Sequence, residues 1–379
     1  MYQMDDEPML RDTTLYSDHE NISGLLAQAH NFVQMSHTPV TCILFASSNN
    51  VFEQFDESAY SGFHIHTEHM AEGLFMGNLS RRYGRKHRKT VRGQFILLKL
   101  PYGNTYLAMT DESTAFIEHG LYSLLRKAYP FSLMPFFHSR DMESFLDAIA
   151  ERIPTSVVML TKVSLKSRIQ SDRARKMRES DMKWTDRPYG EMFAEIRQKD
   201  SWIAKMSFDV LTRRDTPSGS IDRTVLEGVV SRDGIFRCEK DFHIFYETVI
   251  AVAAQCFAER CAKLSDRART EATGYVGKPM CIEFEDPVFN DRQQLRRLGS
   301  IVGALPNSSH SILHCNPYLH MAVTDSIDNS NFDVWVLSPN RITISPQTLC
   351  SGGSLSRFAD HVSREFNEGV IKDLSEVQY

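Results

Sequence analysis

The sequence lacks the short motifs that identify many nucleotide-binding proteins and hydrolases. It contains no G-x-x-x-x-G-K-[ST] phosphate loop, no G-x-G-x-x-G turn and no G-x-S-x-G nucleophile elbow. A restriction-type nuclease needs an Asp followed by Glu-x-Lys on adjoining strands to hold its metal, and E-x-K does not occur in the chain. The residues therefore point to no particular reaction, and whether the protein is an enzyme stays open at this level.

Long apolar runs and paired cysteines are also missing. The longest fully apolar run is VIAVAA at 249–254, far below the roughly 18 residues that a membrane span needs. Residues 1–20 carry six acids and one Arg and do not resemble a signal peptide. The seven cysteines are scattered and form no C-x-x-C pair, which is typical of a reducing cytosol. We expect a soluble, cytoplasmic protein without a membrane partner, and the sequence indicates no cofactor.

Acidic residues are absent from one long stretch of a chain whose net charge is −5. From Gly73 to Thr110 there is no Asp or Glu, whereas eight Lys or Arg residues fall in these 38 positions. A second segment, 162–178, carries seven basic residues against Asp172 alone. Outside both segments 28 basic residues stand against 47 acidic ones. Clustering of positive charge on an otherwise acidic chain is typical of proteins that bind polyanions.

We predict that the two basic segments bind nucleic acid, either DNA or RNA, or another polyanion. Arg offers a planar fork that matches phosphate and guanine edges, and Tyr83 is suited to stack on a base. The first segment shows no strand or helix period before Val91, so we expect a basic loop or arm. In the second segment Leu165, Ile169 and Met177 fall at helical spacing, which predicts a basic helix. The predicted nucleic-acid-binding residues are Arg81, Arg82, Tyr83, Arg85, Lys86, Arg88, Lys89, Arg92, Lys166, Arg168, Arg173, Arg175, Lys176 and Arg178.

Other interpretations of the basic charge stay open. The segments can be solvated faces, or they can dock on the acidic surface of a protein partner or of a second copy of this chain. We expect a binding component of a larger assembly, and a protein–protein interaction subunit is one alternative. The acids of residues 1–20 are candidate competitors for the basic arm because their charge is opposite.

A metal-dependent hydrolase or nuclease is the other alternative function. On a strand, the side chains of His64, His66 and Glu68 project from one face, where two imidazoles and a carboxylate would converge on zinc or manganese. The acids within 283–286 end a predicted strand and offer oxygen ligands to a divalent metal. However, H-x-H is a short and common pattern, and surface histidines and solvated acids explain both groups more simply.

Hydrophobic periodicity predicts an α+β fold. Hairpins followed by helices recur near 93–128, 224–264 and 317–366, so we expect antiparallel or mixed sheets with helices packed on one face. At about 100–200 residues per domain, the chain length suggests two or three domains. We divide the chain into an acidic tail (1–20), an N-terminal α+β domain with both basic segments (21–180), a central unit of three strands and a long helix (181–272) and a C-terminal α+β domain (273–379).

Overall fold

The computed structural model describes most of the chain. The described ranges are 15–16, 21–47, 62–84, 89–129, 132–168, 179–183, 187–197, 201–216, 219–265, 267–271 and 274–376. Within these ranges the chain forms seven helices and two antiparallel sheets, so the predicted α+β fold is confirmed.

The first sheet has 11 strands in the described part of the chain, and all of its neighbours run antiparallel. Its strands are β1 (Val40–Ser47), β2 (Phe63–Ala71), β3 (Leu74–Tyr83), β4 (Lys89–Lys99), β5 (Thr105–Thr110), β6 (Ser132–Leu133), β7 (Ser156–Ser167), β8 (Glu179–Lys183), β9 (Ser201–Thr216), β10 (Gly219–Ser231) and β11 (Ile235–Lys240). They lie in the order β2-β3-β4-β5-β1-β11-β10-β9-β7-β8, with β6 beside β1. Every residue of β1 is buried because this strand is central and both of its faces are covered.

Five helices cover the first sheet, and they divide between its two faces. They are α1 (Ile22–Ser36), α2 (114–127), α3 (Ser139–Arg152), α4 (Tyr189–Arg197) and α5 (242–264). The apolar side of α2 packs on one face, against β2, β3 and β4, where Leu79 and Phe95 are buried. The other four helices pack on the opposite face and enclose the largest core. The long apolar helix predicted in this region is continuous over 242–264.

The second sheet has six strands and two helices within the described residues. The strands are β12 (Met280–Glu283), β13 (Ser308–Cys315), β14 (Leu319–Asp325), β15 (Asn331–Ser338), β16 (Arg341–Pro346) and β17 (Val370–Asp373), in the order β13-β14-β15-β16-β12-β17. The helices α6 (Arg292–Gly303) and α7 (Gly352–Glu365) bury their apolar faces against it. Ser351 begins α7 by accepting a hydrogen bond from the backbone N–H of Ser354.

Both described ends of the first basic segment are strands and not the predicted loop or arm, and residues 85–88 lie outside the described ranges. Arg81, Arg82 and Tyr83 end β3, and Lys89 begins β4, with Tyr83 opposite Lys89. The prediction was wrong because it required an apolar alternation. Backbone hydrogen bonds pair the two strands here although polar and charged side chains occur on both of their faces.

The helix predicted over the second basic segment is also wrong as far as Ser167. This stretch continues β7, which is hydrogen-bonded to β8 on one side and β9 on the other. Pairing on both sides outweighs a helical spacing that three apolar residues provide. Residues 169–178 lie outside the described ranges.

The first sheet crosses one of the predicted domain boundaries. Strands from both sides of residue 180 pair in the first sheet, where β7 lies beside β9. The second sheet begins at Met280, eight residues after the boundary at 272. Of the acidic tail, only Leu15 and Tyr16 are described. The division itself stays a prediction, and no helix among the described residues is long and apolar enough to cross a membrane.

Candidate nucleic-acid interface

The β3–β4 hairpin separates its residues between two faces of the first sheet. Successive side chains of a strand point to opposite faces, so neighbouring residues of the basic segment lie on different faces of the sheet. Arg81 and Tyr83 lie on the face that α2 covers, as does Lys89 opposite Tyr83. Arg82 and Arg92 lie on the other face. The segment that looks uniform in sequence therefore forms two different surfaces.

On the covered face, the basic side chains contact the protein itself. The Arg81 guanidinium lies 4.5 Å from the ring centroid of Phe63 and donates to the carbonyl oxygen of His119. Burial lowers the pKa of the Arg81 guanidinium. The Tyr83 ring stacks on His119 at 4.4 Å between centroids, so its predicted role in base stacking competes with this contact. Lys127, from the end of α2, also lies over Phe63, at 5.0 Å.

The opposite face is polar, basic and uncovered by any described helix. The strand register sets His64, Ser80 and Arg92 in one row and Arg82 opposite Thr90 in the next. A third row contains His66, Asn78 and Gln94. We call these eight residues the open face: His64, His66, Asn78, Ser80, Arg82, Thr90, Arg92 and Gln94. All are exposed except Ser80 and Gln94, which are half-buried.

The open face exists because β2, β3 and β4 project beyond the core. Further along the same face, Leu74, Ile96 and Leu98 are fully buried in the large core. From Asn78 outwards, no described helix covers this side, whereas α2 still buries Leu79 on the other. The hairpin therefore extends from the core with one packed face and one wet face.

The cations of the open face have no acidic partner in the described structure. Neither Arg82 nor Arg92 forms an ion pair with a described residue, and His64 and His66 form no ring contact with one. Glu68 shares this face but lies opposite Met76, on the side of His66 away from Arg82. An unpaired guanidinium is available to a phosphate at no cost of breaking an ion pair.

Several other described arginines do have acidic partners, including a group where the first sheet meets the end of the second. We call this place the junction and define it by Arg168, Trp202, Arg232, Asp233, Asp360, Arg364 and Glu368. Arg232 is 1% exposed and donates to Glu368 at 2.9 Å and to the Ser363 hydroxyl at 2.8 Å. Burial lowers the pKa of Arg232 more than the charges of Asp360 and Glu368 raise it.

Arg364 completes the junction from α7. Its guanidinium donates to Asp233 at 2.6 Å and to Asp360 at 2.8 Å. Burial acts to lower the pKa of Arg364, but the charges of Asp360 and Asp233 outweigh it and the pKa is raised. The Trp202 ring lies between the cations, 4.8 Å from Arg232 and 5.4 Å from Arg364.

The described part of the second basic segment also belongs to the junction. Arg168 is buried, donates to the carbonyl oxygen of Ser201 at 3.2 Å and lies 3.8 Å from Glu368. The Lys166 ammonium lies 5.8 Å from the Trp202 ring. Arg168 therefore faces the interior of the molecule, Lys166 is half-buried beside Trp202, and neither lies on the open face.

The acids at 283–286 line a cavity of about 590 Å³ beside the junction. Lys372 binds the Glu283 carboxylate and Arg140 binds the Glu285 carboxylate. Arg168, His138 and Glu368 also line this cavity. Two of the three candidate metal-binding acids are thus engaged in ion pairs.

The predicted metal-binding residues do share one face. His64, His66 and Glu68 project from the same side of β2, and all three are exposed. Nevertheless, a search of the described residues finds no group of three or more His, Cys, Asp or Glu placed to hold a metal ion. All seven cysteines are free thiols.

Several predicted residues lie outside the described ranges, and some residues of the site were not predicted. The former are Arg85, Lys86, Arg88, Arg173, Arg175, Lys176 and Arg178. Sequence reasoning overlooked Asn78 and Gln94 on the open face and Lys127 beside Phe63. A signal existed for Asn78, since alternate positions from Leu74 to Arg82 read Leu, Met, Asn, Ser, Arg and so change from apolar to polar.

Comparison with known proteins gives no guide to this surface. The chain matches no protein-family model, and it matches none of the curated proteins. The geometry and charge of the open face are therefore the guide to function.

Proposed function

We propose that the protein is a nucleic-acid-binding component and that its contact surface is the open face. One observation carries the proposal: Arg82 and Arg92 are exposed on one uncovered face and lack an acidic partner among the described residues. A protein gains free energy when its cations replace the counterions condensed on a polynucleotide. Arginines already paired with acids, such as those of the junction, gain little in this way.

The sequence at the end of the hairpin supports the same proposal. In the sequence, Arg85, Lys86 and Arg88 follow within six residues of Arg82. No acid occurs between Gly73 and Thr110 to oppose them. A concentrated field of one sign steers a polyanion to its site before any contact forms. A role inside a larger assembly remains part of this proposal.

Charge reversal on the open face tests the proposed function. We expect R82E/R92E to weaken the binding of labelled oligonucleotides by at least about tenfold at low salt, because two phosphate contacts become repulsions. Fluorescence anisotropy measures the dissociation constants.

The matched control is R292E/R296E, which reverses two exposed arginines on α6 of the second sheet. It makes the same change in net charge and should leave the affinity within about twofold, because distant charges are screened beyond a Debye length. Equal losses in both variants would show that net charge alone governs binding. Absence of binding by the unaltered protein would also contradict the proposal.

A further inference from the structure

We infer that the open face takes single-stranded nucleic acid and contacts its bases as well as its phosphates. This inference rests on the proposed function and names its ligand class. It follows from three features of the face: its width, two exposed imidazole rings and a pair of hydrogen-bonded amides.

The width of the face disfavours entry into a duplex groove. Neighbouring strands lie about 4.8 Å apart, so three strands span about 10 Å between axes before side chains are added. The major groove of B-DNA, about 12 Å wide, admits a two-stranded ribbon. Of the open face, Arg82 and Thr90 lie beyond the start of β2, and even there the backbone N–H of Arg82 donates to the carbonyl oxygen of Gly62 on the β2 side. A single-stranded nucleic acid can instead lie across β2, β3 and β4, because it has no groove that the sheet must enter.

Two imidazole rings are available for stacking. His64 and His66 are exposed, lie on the same side of β2 and make no ring contact with a described residue. Two positions along a strand separate them by about 6.7 Å. Histidine rings stack on unpaired bases in proteins that bind single strands, whereas a duplex keeps its base faces covered.

Two amides on the adjoining strands offer hydrogen bonds to base edges. Asn78 and Gln94 lie directly opposite each other, and the Gln94 Nε2 donates to Asn78 Oδ1 at 3.0 Å. This bond fixes both side chains and leaves Gln94 Oε1 to accept and the Asn78 amide to donate. The row also contains His66 directly beside Asn78, so a base stacked on that ring lies next to the Asn78 amide, with Gln94 one strand further on.

The positive and neutral groups of the face are separated along the strands. Arg82 and Arg92 occupy the rows nearest the end of the hairpin, and the amides occupy the row nearest the core. A bound strand can therefore place phosphates against the arginines while its bases reach His66 and the amides. Phosphate contacts supply affinity, and base contacts distinguish nucleic acid from other polyanions.

An abasic strand separates base contact from phosphate contact. The probes are a single-stranded oligonucleotide, an abasic strand of equal length and phosphate number, and a duplex of the same sequence. We expect the full chain to bind the oligonucleotide at least about tenfold more tightly than the abasic strand, since base stacking contributes strongly to each contact. The duplex should bind no better than the abasic strand.

Two variants test whether the open face produces this difference. H64A/H66A should bind the oligonucleotide as weakly as the abasic strand and leave the abasic affinity unchanged. The control H310A/H314A removes two exposed histidines from β13 of the second sheet and should preserve the difference. Unchanged unfolding curves would show that both variants fold.

The outcomes distinguish the two proposals. Equal binding of the oligonucleotide and the abasic strand, a preference for the duplex, or an H64A/H66A variant that retains the difference would each overturn the single-strand inference while leaving nucleic-acid binding intact. Failure of the full chain to bind any of the three probes would overturn the proposed function itself.

Discussion

The arginines of the junction and those of the open face are chemically identical and lie in opposite environments. Arg232 is almost fully buried, and its charge is matched by Glu368 and Asp360. Arg82 and Arg92 are exposed and unmatched by any described acid. The comparison teaches that a count of basic residues does not identify a binding surface. What matters is whether the fold has already supplied each cation with an anion.

The largest expected effect concerns stability. We expect Arg232→Gln to lower the free energy of unfolding by about 3–5 kcal/mol, because it leaves Glu368 and Asp360 without their buried partner. Arg82→Gln makes the same chemical change on the open face and should alter stability by no more than about 0.5 kcal/mol. Urea unfolding measures both values, and similar losses in the two variants would erase the distinction between the surfaces.

The stability of the fold should depend on pH through the buried residue His138. Burial, followed by the charge of Arg260, lowers the pKa of His138 well below its ordinary value of 6.5, so the folded protein holds this ring neutral. Below about pH 6.5 the unfolded chain binds a proton that the folded chain excludes. Stability should therefore fall by up to about 1.4 kcal/mol for each pH unit below that value.

His138 is the N-cap residue of α3. His138→Asn is the variant for this measurement, because Asn is a favoured N-cap residue and does not titrate in this range. The stability of the wild type relative to the variant should decline as pH falls from 7 to 5. A parallel pair of curves would show that His138 titrates normally in the folded protein.

The salt dependence of binding distinguishes the two sets of arginines directly. Each phosphate contact contributes about 0.7–0.9 to the slope of log affinity against log salt concentration. Arg82→Gln and Arg92→Gln should each reduce the slope by about that amount. Arg364→Gln, studied where it remains folded, should leave the slope unchanged because this arginine belongs to the junction. A reduced slope for Arg364→Gln would contradict the assignment.

The smallest expected effect comes from the acidic tail. The Tyr16 hydroxyl donates to Asp111 at 2.6 Å and lies 3.0 Å from the carbonyl oxygen of Gln94, so the tail joins the fold beside the open face. Removing residues 1–14 takes away four acids and one Arg. We expect binding to strengthen by about two- to fivefold at low salt and the gain to vanish at high salt. An unchanged affinity at low salt would exclude the tail as a competitor.

Much of the fold could be predicted from the sequence because apolar residues recur with the period of each element. The helix at 242–264 and the hairpin turning at Asp233 and Gly234 carry such local signals. The pairing of β7 with β9 and the continuation of one sheet past residue 180 carry none. These features depend on contacts between distant residues.

The open face was only partly predictable for a related reason. The excess of positive charge is visible in the sequence, but its division into two faces depends on strand register. On the covered face Arg81 contacts Phe63 and His119, which no local pattern reveals. Arg168 appears equally basic in the sequence, yet Glu368, two hundred residues away along the chain, lies beside it.

The position of Glu368 has a consequence for how the chain folds as it is made. Its carboxylate accepts from Arg232 and from the backbone N–H of Ser139, at the first turn of α3. Both groups leave the ribosome more than 100 residues before Glu368 does. Domains generally form in order of synthesis. Here, however, the buried Arg232 of the first sheet gains its partner Glu368 only after α7 has been synthesised. A ribosome stalled before residue 360 should therefore expose a first sheet that proteases cut readily.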